Sequence, residues 1–483
     1  MARVGEVIAT LARCTAIAFV GVLCFLAYTA GSLRRLLLPR AARAQHRARQ
    51  RGRLLRWAFE RLGASFVKIG QLISSRPDVF APEVIEELRA LQDHVHAFPF
   101  HRARAVIERE LGASIETLFR SLDPDPVAAG SVAQVHAGVL RDGREVAVKV
   151  LRPGVRTQIR RDAAIVLALA RLAQWLSPRA RAAEVRVQAR TLVAGVLAQT
   201  DLRREAANYD RFREQFADTV GLAFPRVHHE LSAREVLTME LVRGVSLERA
   251  APEHLPQVTR VLRSSFFAMC FEHGLVHADL HPGNVLVRAD GVLVMLDVGL
   301  VNDMPPATVE KLGDFARCLV TGTAADLVKH LQEHHACSPS TDWHGVVADV
   351  DVFVATLRGR SLAELEASAL VADLFALARK HRIRPMTDLS LVLLGMVTIE
   401  GIAKRIDPDA NTLHEVAAFL GRPPSKGRLA RGSWQPFSHA ATPALAAQPK
   451  DEPMTGPSQA TPLAANDGIG HAIDVEDLEP FTS

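Results

Sequence analysis

The sequence predicts an α+β protein with two lobes, the first rich in strands and the second helical. A helical extension containing one membrane-crossing helix precedes them, and a disordered tail follows. Three observations predict this. Uncharged residues run unbroken from Cys14 to Leu33. Strand-like text is confined to 135–151, 235–241 and 285–296, and helical periodicity dominates the remainder. Past Gly421, nine prolines fall in the 61 positions 423–483, among many Ala, Ser and Thr, and the chain ends in the acidic DVEDLEP.

The apolar fraction of 48% excludes a chain disordered throughout. At 483 residues, the length allows two to four domains or one large domain with additions. Cysteines at 14, 24, 270, 318 and 337 include no CxxC pair, which excludes a disulfide scaffold or a closed zinc site and points to reduced thiols. The net charge of +5 hides an asymmetry. Nine arginines and no acid lie between Arg34 and Arg56, so the other 460 residues sum to −4. A nucleic-acid-binding body would carry its positive charge on the folded domain, so nucleic acid is not an expected partner.

The 20 residues from Cys14 to Leu33 make about 30 Å of helix, the thickness of a bilayer's hydrocarbon core. A cleaved signal peptide has a shorter apolar core, and a buried soluble helix is the other alternative. The arginines downstream place that side in the cytoplasm, beside anionic headgroups. The expected location is the bacterial inner membrane, with the body cytoplasmic. Leu389–Ile399, with 11 uncharged residues, is too short to span and reads as a buried helix.

The elements follow in order. RLLRWAFERLGASFVKIGQLI places apolar residues at 55, 58, 59, 62, 66, 69, 72 and 73, a helical period. A second helix is expected over Pro82–His94. Val135–Leu140 and Glu145–Leu151 read as a hairpin around Asp142–Gly143. Arg160–Leu176 and Glu184–Phe216 read as long helices, Glu235–Leu241 as a strand, and Leu255–Leu393 as mainly helical. The resulting division is an anchor (1–35), a basic juxtamembrane and helical extension (36–120), a first lobe (121–243), a second lobe (244–420) and the tail (421–483).

The segments VHADLHPGNVLV and VMLDVGL carry the chemistry. Asn284 follows Asp279 by five positions and Asp297 lies 13 further on. That is the spacing of a protein-kinase catalytic loop and its metal-binding D-x-G. Asp279 suits the carboxylate that orients and deprotonates a hydroxyl. Asn284 and Asp297 supply hard oxygens for Mg²⁺, and Gly299 suits a sharp turn after the metal ligand. Turn-forming residues between strands would explain one such motif but not two at matched spacing. Upstream, Lys149 alternates with valines in VAVKV, after a small-residue loop that includes Ala128, Ala129, Gly130, Ser131 and Val132. It suits a cation reaching the phosphates of ATP. Glu205, in DLRREAANY, is the candidate ion-pair partner, although other acids and arginines lie nearby. VLTMELVRG reads as the hinge, with backbone around Glu240 and Val242 meeting adenine and Met239 lining the pocket. His273, His277 and His281 lack a closed ligand set and read as structural.

With these motifs in view, the sequence resembles the UbiB/AarF atypical kinase-like family, which includes the ADCK-type proteins. The resemblance rests on FVKIGQLISSRPDVFAPEVIEELRALQDHV, PVAAGSVAQVHAG, EVAVKVLRPGV, the Glu205 helix, HADLHPGN and LDVG, across roughly residues 50–410. It implies a kinase-like fold whose helical extension packs over the substrate site. It also implies ATP and Mg²⁺ as cofactors, ATPase or unorthodox kinase activity, and support of ubiquinone or other isoprenoid-quinone biosynthesis at a membrane. The implied partners are membrane lipids, isoprenoid quinone precursors and quinone-biosynthesis enzymes, and a homodimer is compatible with it. Lys68, Gly70 and Gln71 match the family's KxGQ motif. Lys68 and Gln71, spaced i, i+3, share a helix face that can point into the cleft. The chain departs from the pattern at Gly130 (third position of the Ala-rich loop), at Gln199 (first acid of E-x-D) and at Val298 (the D-F-G phenylalanine). Its membrane helix is N-terminal rather than C-terminal. The rival readings are an ATP-regulated scaffold, a lipid-binding pseudokinase and a small-molecule phosphotransferase.

Overall fold

The computed structural model describes residues 2–35, 39–74, 82–91, 97–178, 185–337, 341–358, 366–406 and 412–421. The tail beyond Gly421, the end of the helix expected over Pro82–His94, and Glu184 lie outside the described residues. The first lobe is built on an antiparallel sheet of β1 (Phe119–Ala129), β2 (Ala133–Leu140), β3 (Glu145–Leu151) and β5 (Val236–Glu240), in that order. The β2–β3 hairpin turns at Gly143, whose φ of 90° favours glycine. Alternation along β3 sorts its side chains. Val146, Val148 and Val150 pack with Val106 and Ile107 of the helix Phe100–Leu111. Ala147 and Leu151 join the main core on the other face.

Three elements differ from expectation. β1 was not anticipated, because Pro124 and Pro126 argue against a strand. It forms as an edge strand, with register shifts on both sides of Pro126. Ala128 and Ala129 are therefore strand residues, and the expected loop contracts to a turn closed by Gly130 N–H donating to Ala133 O at 2.8 Å. The helix expected over Glu184–Phe216 divides into Val185–Ala198 and Leu202–Gln215. Asp201 takes an extended backbone (φ −127°) and its carboxylate accepts from Arg203 N–H, capping the second piece. The helix expected from Arg160 starts at Val155, after Gly154.

The helix Leu255–Ala268 passes into a π turn, Met269–His273, and stops at Gly274. There φ is 72°, and a Cβ would lie 2.7 Å from Met304 O. The chain then enters a two-stranded ribbon of β7 (Leu275–His277) and β10 (Val301–Asp303). A second sheet, in the order β4 (Leu222–Ala223), β9 (Leu293–Met295), β8 (Val285–Val287) and β6 (Val245–Ser246), contains the expected strand–turn–strand. Six helices complete the described second lobe: Pro306–Val320, Ala324–His334, Trp343–Arg358, Ala367–Lys380, Thr387–Lys404 and Thr412–Leu420. The Leu389–Ile399 run lies in the fifth, with Leu389, Val392, Leu393 and Ile399 buried.

The N-terminal helix Ala2–Arg35 lies beside the arginine-bearing helix Arg40–Leu62 as an antiparallel hairpin. Gln50 Nε2 donates to Ala27 O (3.1 Å), and Cys24 Sγ reaches Leu54 O (3.7 Å). Val7–Ser32 is, among the described residues, the one stretch long and apolar enough to cross a membrane. Its outer face exposes Val7, Ile8, Leu11, Phe19, Val22 and Phe25, while Ile17, Val20 and Cys24 pack against the core. Arg13 fixes this helix to the body. Its guanidinium donates to both oxygens of Asp162 (2.6 and 2.8 Å) and to Leu62 O (2.6 Å), and the Asp162 side chain is 1% exposed.

Removing one partner of a buried ion pair leaves an uncompensated charge. Arg13→Ala should therefore lower unfolding stability by about 3–5 kcal/mol in urea melts. Arg13→Lys should recover only part of the loss, because an ammonium cannot reproduce the fork onto Asp162 and Leu62.

Candidate active site

β3 carries Lys149 into the space between the lobes. Its Nζ donates to Glu205 Oε1 at 2.7 Å and Oε2 at 2.9 Å, and lies 3.3 Å from Asp297 Oδ1. The three groups come from β3, from the helix Leu202–Gln215 and from the segment after β9. Glu205 is the inner carboxylate, with a side chain 5% exposed, whereas that of Asp297 is 49% exposed. Burial pushes the Glu205 carboxyl up to about 7; the Lys149 ammonium opposes this and the Asp297 charge adds to it. Burial alone would raise Asp297 as well. The charges of Lys149 and Lys68 reverse that and hold it well below the usual carboxylate range. Burial would lower Lys149, but the two carboxylates raise it, so it stays charged.

The Glu205 helix also grips the D-V-G segment. Asn208 Nδ2 donates to Val298 O at 2.8 Å, and the Tyr209 hydroxyl accepts from Asp297 N–H at 2.9 Å. Neither residue was singled out from the sequence. The signal was available, because 208 and 209 follow 205 by three and four positions and so share its helix face. Asp297 has φ 49°, an uncommon conformation for a non-glycine residue. The turn at this motif thus falls on Asp297 rather than on Gly299. The contribution of Gly299 is space: a Cβ there would sit 3.1 Å from Asp297 Oδ1 and 3.3 Å from Glu205 Oε2. Val298, in the phenylalanine position, is fully buried.

The catalytic-loop candidates hang from the ribbon and the second sheet. His277, at the end of β7, accepts from Asp279 N–H through Nδ1 (3.2 Å) and meets Leu296 O through Nε2 (3.1 Å). Burial lowers its pKa, so it acts as a neutral strut between the two motifs. Asn284 Nδ2 donates to Asp279 O at 2.9 Å, which leaves its Oδ1 for another partner. Asp279 itself is half-buried. His281 accepts from Gly283 N–H, and His273 packs edge-on against Phe216 at 4.8 Å. Among the described residues no three His, Cys, Asp or Glu side chains form a closed metal cluster. One carboxylate and one amide oxygen suit Mg²⁺, which keeps waters and takes phosphate oxygens as its other ligands. The residues present therefore fit that ion, with Asn284 and Asp297 as the groups that could hold it.

The other sequence candidates surround this cluster. Gly130, Ser131 and Val132 form the turn beyond Ala128 and Ala129; Ser131 and Val132 are buried. Arg152, unremarked in the sequence, pins the turn by donating from its backbone N–H to Val132 O (2.7 Å) and from its guanidinium to Gly130 O (3.0 Å). Met239 is buried and pairs with Ala147 across the sheet. At the hinge, Glu240 N–H is taken by Arg226 O (2.8 Å) and Leu241 N–H by Glu145 O (3.3 Å), so neither amide is free for adenine; Val242 lies just past the strand. Lys68, on the helix Ala64–Ser74, is close enough for its charge to act on both Glu205 and Asp297. Gly70 lets this helix pack closely, since a Cβ would fall 2.7 Å from Phe59 Cδ2 and nearer still to Leu91 Cδ1. Gln71 is half-buried one turn from Lys68. Gln199 turns its amide back toward Gly195 O (3.5 Å) and supplies no acid.

Lys149→Met leaves two carboxylates facing each other without the cation. It should cost about 3 kcal/mol in urea melts at pH 8. The loss should shrink toward pH 6, because protonating Glu205 removes the buried charge. The double variant Lys149→Met/Glu205→Leu should regain most of the stability at pH 8.

Residues 90–331 match the ABC1 atypical kinase-like domain, and residues 350–411 match the UbiB helical domain. A protein named probable protein kinase UbiB, from Cellvibrio japonicus, is 33% identical over 406 residues, covering 80% of this chain and 72% of that protein. One of the same name from Marinobacter nauticus is 33% identical over 387 residues, covering 77% and 69%. Among solved structures, Rv3197 of Mycobacterium tuberculosis, determined as a complex with erythromycin, aligns with a TM-score of 0.51 over 72% of this chain and 88% of that one. At 21% identity, that likeness speaks for the fold alone. The matched domains coincide with the Lys149 sheet, the catalytic loop and the helices beyond it: the chain belongs to the UbiB family of ABC1 atypical kinase-like proteins.

Proposed function

We propose that this chain binds Mg-ATP between its lobes and turns it over as an atypical kinase or ATPase that supports ubiquinone biosynthesis at a membrane. The Lys149–Glu205–Asp297 cluster, with Asn284 and Asp279 on the adjoining loop, carries this reading. Lys149 binds the inner phosphates and Glu205 fixes its ammonium. Asn284 Oδ1 and Asp297 hold the metal. When bound, Mg²⁺ supplies charge neutralisation at the phosphate oxygens. Asp279, held through its N–H by His277 and through its carbonyl by Asn284, presents a carboxylate that takes the proton from an attacking hydroxyl or water. UbiB-named relatives support the biosynthetic role.

A second reading is favoured by Lys68. Its charge acts on both carboxylates, Asp297 included, from the extension rather than from the two lobes, which suits ATP turnover that drives a conformational change without phosphorylating a protein. Transfer of label from γ-phosphate-labelled ATP to a recovered product separates the two readings.

The hairpin geometry bears on the membrane. If the helix Ala2–Arg35 crossed upright while packed as described, the charged side chains of Arg53 and Arg56 would enter the bilayer at a cost of several kcal/mol. The packed form instead favours a helix lying in the interface, with Phe19 and Phe25 in the acyl region and arginines at anionic headgroups.

Asp279→Asn and Asp297→Asn should each lower Mg-ATP hydrolysis by at least about 100-fold while the chain stays folded. Undiminished turnover would sink the catalytic assignment. Quinone-intermediate profiles in cells carrying Asp297→Asn test the biosynthetic role, and an unchanged profile rejects it. Phe19→Asp/Phe25→Asp should abolish co-flotation with anionic vesicles; continued flotation rejects the interfacial placement.

A further inference from the structure

The helix Val155–Leu176 leaves an apolar row in contact with solvent. Leu169, Leu172, Trp175 and Leu176 are between 48% and 76% exposed, whereas Val155, Ile159, Ala163 and Ala170 turn inward. The helix Val185–Ala198 packs beside it after a short link, so its exposed Val187 belongs to the same end of the pair as Leu176. A single exposed leucine is ordinary, but a row of them on one helix marks a surface that something covers.

The row has a direction. Asp162, Leu169 and Leu176 follow one another at two-turn intervals, so they stand in one line along the helix. Asp162 is the residue that receives Arg13 from the N-terminal helix (2.6 and 2.8 Å). The side on which the N-terminal helix lies is therefore the side on which Leu169 and Leu176 emerge, about 10 and 21 Å further along. Val7, Ile8 and Leu11, also exposed, precede Arg13 by less than two turns of its own helix. Two apolar exposures thus meet at one buried ion pair, on the side of the body that the N-terminal helix occupies. Charge selects what covers them. The helices Val155–Leu176 and Val185–Ala198 carry six arginines, and their one acid, Asp162, is already taken by Arg13. A second copy of this chain across a two-fold axis would bring the same arginines face to face. An anionic bilayer instead receives leucine and tryptophan at its acyl boundary and arginine at its headgroups.

We infer that Leu169, Leu172 and Leu176, with Trp175 and Val187 at the same end, form a second membrane contact, seated at the acyl–headgroup boundary of an anionic bilayer beside the N-terminal helix. This deepens the interfacial placement proposed above and rests on it. The helix pair is inserted between β3, which carries Lys149, and the helix that carries Glu205. The contact therefore holds the first lobe itself at the surface, not the N-terminal helix alone.

The test uses the full-length chain and vesicles of phosphatidylcholine, alone or mixed with phosphatidylglycerol. Leu169→Gln/Leu172→Gln/Leu176→Gln alters exposed side chains only. It should weaken binding to the mixed vesicles by at least about tenfold while the chain stays folded. Leu172→Trp places a new emitter in the row, and lipid brominated on its acyl chains should quench the added emission. A triple variant that binds within about twofold of the wild type, or added emission that the bromines leave untouched, overturns the contact. A triple variant that changes sedimentation in detergent but not vesicle affinity assigns the row to a second copy, which overturns it equally. Should the triple variant misfold, the Leu172→Trp quenching decides. If Phe19→Asp/Phe25→Asp loses flotation and the triple variant does not, the N-terminal placement stands and this surface is rejected. A wild-type chain that ignores the mixed vesicles rejects both.

Discussion

Lys149 stands between two carboxylates that reach it from different parts of the chain. Glu205 approaches along a helix and Asp297 on the segment after β9. In a low-dielectric cleft, two negative charges cannot share one positive charge equally. The inner acid yields, and Glu205 rises to about 7; the outer acid, better solvated and held by the charges of Lys149 and Lys68, stays ionised. This division suits the proposed chemistry. The group that would ligate a metal is ionised in advance, and the group that only positions Lys149 absorbs the misfit.

The extension reinforces the same place from outside. Lys68 reaches toward the cluster because its helix packs closely, and it packs closely because residue 70 lacks a side chain. The helix Arg40–Leu62 backs this arrangement, and the N-terminal helix backs that one through Arg13 and Leu62 O, while Arg13 also holds Asp162 of the helix Val155–Leu176. A chain of contacts thus runs from the exposed apolar face of the first helix to the cleft, and each link is a buried polar bond or a close backbone approach.

Much of this was legible in the sequence. The alternation in VAVKV separates the lysine from its valines, and the spacing of Asp279, Asn284 and Asp297 brings the motifs to one loop system because β8 and β9 form a short hairpin between them. What escaped had physical causes. Pro124 and Pro126 hid β1, since a strand that tolerates prolines is recognisable only once its place at a sheet edge is known. Asp201 hid inside an apparently continuous helical pattern, where an N-cap looks like any acid. The role of Gly299 was misread, because a glycine's need for space cannot be told from its freedom of φ without its neighbours.

The left-handed backbone at Asp297 needs support from both sides, because such a conformation persists only where its surroundings over-determine it. Tyr209 holds its N–H and Asn208 holds the next carbonyl. Three residues further on the chain enters β10, where Val301 pairs with His277, the same histidine that secures Asp279. The next residue, Asn302, donates to Asp388 at 2.8 Å, at the start of the helix whose Leu389 and Leu393 are buried in the second lobe. The strained residue, the catalytic loop and the helical lobe are therefore consecutive anchors along one stretch of backbone. A sequence that relaxed any of them would release the position of Asp297, so the geometry of the cleft is a property of the second lobe's packing as much as of the motif.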